Sequence, residues 1–237
     1  MSSCTVSVSS LSSTLRTTLF PPLQLEKEKQ WEVALLDFTT YNSIPNIIEG
    51  VNNKLHFIKN RNLFGEIDVI EIETGSYEIT DINKEFQSKL GKENFELRAN
   101  NNNLKCEVKC KYYIDFTQPG SIGSLLGFSK SVGILEPNIY HSSPKTVDII
   151  KVNTINISCN IIQGAYKEGS NQHILHTFYP TVPPGFKIVE KPHNLIYLPL
   201  NTTYVSDIVL NVLDQDGNAV DFRGEVITIR LHIRQTS

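Results

Sequence analysis

Residues Val205–Arg234 read VSDIVLNVLDQDGNAVDFRGEVITIRLHIR, two alternating runs on either side of the turn-forming Asp214-Gln215-Asp216-Gly217. In a pleated strand successive side chains point to opposite faces. Ile208, Leu210 and Val212 therefore share one face, as do Ile227, Ile229, Leu231 and Ile233 in the second run. The pattern predicts a half-buried antiparallel β pair and an all-β chain. The other face of the last run, Val226, Thr228, Arg230, His232 and Arg234, is mostly polar and ends basic. A strand with one oily and one wet face needs a second sheet over the oily face, which makes a sandwich the expected architecture. The basic face is then either solvated or a contact for nucleic acid or a neighbouring subunit.

Working upstream, Trp31–Phe38 is a strand rich in large apolar residues that ends at Asn42, Pro45 and Asn46. Leu55–Lys59 and Ile67–Ile72 are two further strands suited to an edge or connecting place. From Ile79 the period lengthens: Ile79, Ile82, Phe86 and Leu90 predict one short amphipathic helix, with Thr80 or Asp81 as its N-cap and Gly91 as its stop. The turn Asn100–Asn103 joins Phe95–Arg98 to Lys105–Val108 as a hairpin, and Tyr112–Phe116 extends that sheet. Ser121–Phe128 makes a single helical turn bounded by glycine, and Gly133–Lys145 is a long loop. Strands recur at Val147–Ile162, His173–Phe178, Phe186–Val189 and Leu195–Leu198. Many strands separated by turns indicate a sandwich or barrel.

The chain has 237 residues, 40% hydrophobic and 20% charged, enough to bury a core as one large β domain or two small ones. A formal net charge of −3 supplies no bulk attraction to nucleic acid, and no run of about 18 apolar residues is present to span a bilayer. The cysteines at 4, 106, 110 and 159 lack the dense framework of a small secreted protein, so reduced thiols are expected. Residues 1–18 are dominated by Ser and Thr, without a basic leading region or an apolar block, and read as a flexible arm. Residues 19–237 are then one domain.

Residue patterns that carry chemistry are weak. Asp214, Asp216, Asn218 and Glu225 occupy calcium-loop positions, but the bend position that needs glycine is Ala219, and strands rather than helices flank it; an ordinary turn is expected. His173 and His176 are three apart, on opposite faces of a strand, with no glutamate between them. Cys106 and Cys110 lie roughly 13 Å apart along one strand, too far for a disulfide. Cys159 sits in the apolar run Ile157–Ile161 and reads as an inert core thiol. No Walker loop, dinucleotide fingerprint or nucleophile elbow occurs. The chain is therefore read as a non-enzyme with no catalytic residues, no metal site and no cofactor. Candidate contact residues are Pro180, Pro183, Pro184 and Gly185, a stiff bend with Phe178, Tyr179 and Phe186 on its shoulders, together with Arg230 and Arg234.

The blocks Trp31–Leu35, Asn46–Asn53, Gly75–Ile79, Leu126-Gly127-Phe128 and Val220–Arg234, in that order, resemble the penton-like minor capsid proteins of Polinton/Maverick elements and adenovirus-related double-stranded DNA viruses. The resemblance runs from about Trp31 to Arg234. It implies a single jelly roll of two four-stranded sheets, five copies of which close a ring at the icosahedral vertex of the virion. It further implies contacts with itself, with the major capsid protein and with a spike protein, and none with a membrane or a specific nucleic acid. The chain departs from adenoviral penton bases in being much shorter, which leaves little room for a large insertion domain. It also lacks an Arg-Gly-Asp receptor loop, Arg223-Gly224-Glu225 being the nearest string. The alternatives are one jelly roll of a major capsid protein and a carbohydrate- or ligand-binding β-sandwich module.

Overall fold

The structure is a computed structural model that describes residues 3–60, 66–164, 166–167, 170–171 and 173–236. The chain divides into two compact units, one running up to Ile44 and resuming at Val152, the other spanning Pro45–Lys151. In chain order the first unit begins with β1 (Ser3–Ser10), β2 (Thr14–Gln24) and β3 (Trp31–Tyr41). The second holds β4 (Lys54–Ile58), β5 (Asp68–Glu71), α1 (Ile79–Leu90), β6 (Phe95–Asn100), β7 (Lys105–Cys110), β8 (Tyr113–Asp115), β9 (Ile134–Leu135) and β10 (His141–Ser142). The first unit resumes with β11 (Ile155–Cys159), the short pair β12 (Tyr166–Lys167) and β13 (Ser170–Asn171), then β14 (Ile174–Phe178), β15 (Lys187–Glu190), β16 (Leu198–Pro199), β17 (Tyr204–Leu213) and β18 (Ile227–Gln235).

The first unit is a jelly roll. One sheet has the order β1-β18-β3-β15, with β16 also on β3, and the other has the order β14-β11-β17-β2; every pairing is antiparallel. The predicted burial of the two C-terminal runs holds: Ile208, Leu210, Val212, Ile227, Ile229, Leu231 and Ile233 are all fully buried in one core. The predicted pairing does not. β17 pairs with β11 and β2, and β18 pairs with β1 and β3, so the two closing strands belong to different sheets. Alternation reports which face is oily. It does not identify the strand across the backbone, and the connection from Asp214 to Val226 is long enough to change sheets.

The arm expected over residues 1–18 is also corrected, with Met1 and Ser2 outside the described residues. β1 pairs with β18 from Ser3↔Arg234 to Ser10↔Ile227, and β2 sets Thr14–Thr18 against Asn211–Asp207 of β17. The segment's low hydropathy masked a period of two. Cys4, Val6 and Val8 turn to the core while Ser3, Thr5, Ser7 and Ser9 turn outward, and Leu15 is fully buried. Small β-branched residues on one face suffice for an edge strand when its neighbour supplies the bulk. A third correction concerns size: the chain carries an inserted unit, residues 45–151, between β3 and β11.

That inserted unit has two antiparallel sheets, β10-β7-β6 and β5-β4-β8-β9, around its own core. Its helix buries Ile79, Ile82 and Phe86, with Phe86 edge-on to Phe95 at 5.4 Å. The N-cap position is Glu78, ahead of the expected Thr80 or Asp81, with no capping bond from its side chain, and the helix stops at Gly91, where φ is +93°. The hairpin β6–β7 forms as read, whereas β8 joins β4 and β9 in the other sheet instead of extending the hairpin. The blocks Asn46–Asn53 and Gly75–Ile79 are tied together: Asn46 Nδ2 donates to Tyr77 O (2.7 Å), and Tyr77 N donates to Asn46 Oδ1 (2.9 Å). In Leu126-Gly127-Phe128 a Cβ on Gly127 would stand 2.3 Å from the Lys145 carbonyl oxygen at φ +81°, so only glycine fits.

Candidate assembly surface

The outward face of the β1-β18-β3-β15 sheet is built from alternate residues of each strand. Pairing sets Arg230 opposite Asp37 and Arg234 opposite Glu32, while a register shift between Arg230 and Leu231 keeps the apolar residues on either side of it facing the core. Arg230 Nε donates to both Asp37 carboxylate oxygens at 2.9 Å, and Nη2 closes a fork on Oδ2. Asp37 is 5% exposed, whereas the Arg230 side chain remains half in solvent. Hydrogen bonding to that carboxylate, and then its charge, holds the Arg230 guanidinium above its usual pKa. Arg234 Nε donates to Glu32 Oε1 at 2.6 Å, and its guanidinium lies 3.5 Å from the centre of the Tyr197 ring. The Tyr197 hydroxyl and His232 Nδ1 are 2.8 Å apart. The face read as polar with a basic end carries its arginines in pairs, each matched to an acid on β3.

The proline bend joins β14 to β15 at one end of the sandwich. Phe186 N donates to Pro183 O at 3.2 Å, closing a turn with Pro184 in the second place and Gly185, at φ +83°, in the third. A φ-locked proline followed by a positive-φ glycine is the pairing such a turn requires. Asn42 fixes the bend to β3 with three bonds: its N donates to Phe186 O (2.8 Å), its carbonyl accepts from Gly185 N (2.7 Å), and Nδ2 donates to Val182 O (2.7 Å). Pro183, Pro184 and Gly185 are exposed and Pro180 half-buried. On either side of the turn Tyr179 and Phe186 are 67% and 63% exposed. Tyr41 and Val189, on the paired strands β3 and β15, add exposed apolar surface beside it. A rigid scaffold presenting exposed aromatics suits a contact whose ordering cost is already met. Sequence reading missed Tyr41 and Val189, because only the β3–β15 register places them on the outer face, and it missed Phe20, 98% exposed on β2.

The other residues that the sequence offered for chemistry have structural partners or are buried. The Asp214 carboxylate accepts from Asp216 N (2.9 Å) and Asn218 N (2.8 Å), an Asx-type turn of the expected ordinary kind. His173 Nδ1 lies 2.7 Å from Ile162 O, and His176 Nε2 lies 3.0 Å from Glu190 Oε1, so the two rings have separate partners. Burial pushes the Cys106 thiol up to about 12 and the Cys159 thiol to about 11, which removes the thiolate needed for nucleophilic attack. All four cysteines are free. Among the described residues no cluster of three or more His, Cys, Asp or Glu side chains is arranged to hold a metal, and no helix is long and apolar enough to cross a membrane.

No protein-family model matches the chain, and no curated protein sequence matches it. Among solved structures the chain is similar to a mavirus penton protein, with a TM-score of 0.53 and 12% identity over 100% of both chains. At that identity the likeness is one of fold, and it extends through the jelly roll and the inserted unit alike.

Proposed function

We propose that the chain is a structural capsid protein of a double-stranded DNA virus or a related genome-integrated element, a penton-like capsomer of which five copies close a ring at the icosahedral vertex. The observation that carries this reading is the full-length likeness of fold to a mavirus penton protein. The order of short sequence blocks supports it.

The mechanism is shape complementarity. A cyclic ring needs a heterologous contact, one side of a subunit fitting a different side of its neighbour. In this reading the Pro180–Gly185 bend, with Tyr179, Phe186, Tyr41 and Val189 around it, is one half of that contact, and the face of Arg230 and Arg234 flanks it. The major capsid protein surrounds the ring and a spike protein is its outward partner. Co-expression with the major capsid protein of the same genome, followed by reconstruction of the particles, tests the assignment. Density for this chain at the fivefold vertices is the expected result. Particles complete without it, or carrying it at other positions, overturn the reading.

A further inference from the structure

Among the described residues the jelly roll has four sheet edges: β1, and β15 together with the two-residue, proline-bearing β16, in one sheet, and β14 and β2 in the other. An exposed edge is a template for pairing with another chain, and proteins guard such edges with proline, charge, bulges or brevity. Three of the four are guarded. β2 carries Arg16, Pro21 and Pro22. β15 is four residues long, begins with Lys187 and is followed by Lys191 and Pro192. β14 is five residues long and meets a register shift against β11. β1 is the exception: its eight residues, SCTVSVSS, hold no charge and no proline, and its register with β18 is unbroken. Among the described residues only β18 pairs with it, so the second row of its backbone N–H and C=O groups faces outward unpaired.

We propose that this edge binds a second copy of the chain, the two β1 strands running antiparallel about Val6 to join two jelly rolls through one continuous sheet. The backbone row restricts the occupant to an extended polypeptide, and the side chains select the same strand. The segment Ser3-Cys4-Thr5-Val6-Ser7-Val8-Ser9 is near-palindromic in character. Pairing about Val6 sets Thr5 against Ser7 of the second copy, Cys4 against its Val8 and Ser3 against its Ser9. Residues directly opposite in an antiparallel pair share a face, so Cys4, Val6 and Val8 of both copies line the core side and the hydroxyl residues line the outer side. A one-residue slip would set Thr5 against Val6 and lose that match. The next lane does not repel the approach either, because Arg230 and Arg234 are neutralised by Asp37 and Glu32. The inference is independent of the ring: the ring sets a factor of five in assembly mass, and this contact sets a factor of two.

The test uses the exposed outer-face residues, whose replacement leaves the core intact. Thr5→Lys/Ser7→Lys gathers four lysines at the two-fold axis, and Thr5→Glu/Ser7→Glu gathers four glutamates. Native mass spectrometry and sedimentation velocity on the full chain at tens of micromolar give the masses, with Trp31 fluorescence confirming that each variant is folded. Wild type is expected at twice the mass of its basic unit, whether that unit is a chain or a ring. Each variant alone is expected at half that mass, with the two-fold affinity reduced by at least about 100-fold through like-charge repulsion. An equal mixture of the two restores the wild-type mass as a Lys/Glu heterodimer. Wild type without a two-fold species, a variant that keeps the wild-type mass, or a mixture that stays at half mass overturns the proposal.

Discussion

Leu15 lies inside the segment whose composition reads as a loose arm, yet its side chain is fully buried and sits opposite Leu210 across the β2–β17 pairing. Leu15→Ala removes three carbons from a closed core and leaves a cavity; buried Leu→Ala changes cost about 2–5 kcal/mol. β2 is an edge strand and relaxes more readily than a central one, which puts the expectation in the lower half of that range, at about 3 kcal/mol. With a urea slope of about 2–3 kcal/mol per M, the unfolding midpoint falls by about 1–1.5 M. The two units need not unfold together, so the probe has to belong to the first. Trp31, the chain's one tryptophan, is buried in that core and serves as the fluorescent reporter. Leu11→Ala is the control: Leu11 is exposed between β1 and β2, and its loss should stay within about 0.5 kcal/mol. A Leu15→Ala midpoint no further from wild type than that control would refute the packing of residues 3–24 into the sandwich.

Arg230→Ser strands the buried Asp37 carboxylate, so it should lower the thermal midpoint of the first unit, and Arg230→Gln combined with Asp37→Asn should recover much of the loss; an unchanged midpoint for the single variant would mean the outer face is merely solvated. In the inserted unit His56 is buried with Nδ1 unpartnered, and its pKa is lowered from 6.5, first by burial and then by Lys54, against the opposing pull of Asp115 and Glu71. The folded state therefore binds fewer protons than the unfolded one. This contribution is present above pH 6.5 and is lost as pH falls toward the depressed folded value, a slope that thermal melts should record and His56→Gln should flatten. Cys106, Cys110 and Cys159 are buried with raised pKa values, so a thiol-specific disulfide reagent at neutral pH should modify them only after denaturation; rapid reaction of all four thiols in the native protein would contradict the packing.

What the sequence disclosed was periodicity, and periodicity determines faces. The buried sides of β17 and β18, the stripe of α1 and the hairpin β6–β7 were all legible because each follows from a local repeat of two or 3.6 residues. Partners were not legible. That Ile229 lies beside Phe38 and Leu210 beside Leu15, with β17 and β18 in separate sheets, depends on contacts between residues far apart in the chain, which no local pattern encodes. β1 was hidden for a related reason: its core-facing Cys4, Val6 and Val8 are small residues in a Ser/Thr-rich run, and the strand takes shape by pairing with β18. The inserted unit escaped notice because no linker composition marks Ile44–Pro45 or Lys151–Val152. At the candidate surface the proline bend was visible as a motif. The matching of Arg230 to Asp37 and of Arg234 to Glu32 required the β3–β18 register.

The mass of the native assembly decides whether the proposed ring of five forms. With the β1 edge blocked by Thr5→Lys/Ser7→Lys, so that no factor of two intervenes, native mass spectrometry should find a species of five times the 26.7 kDa chain. A chain that stays monomeric at every protein concentration and salt tested, or that closes with a different number of copies, would rule out the five-membered ring.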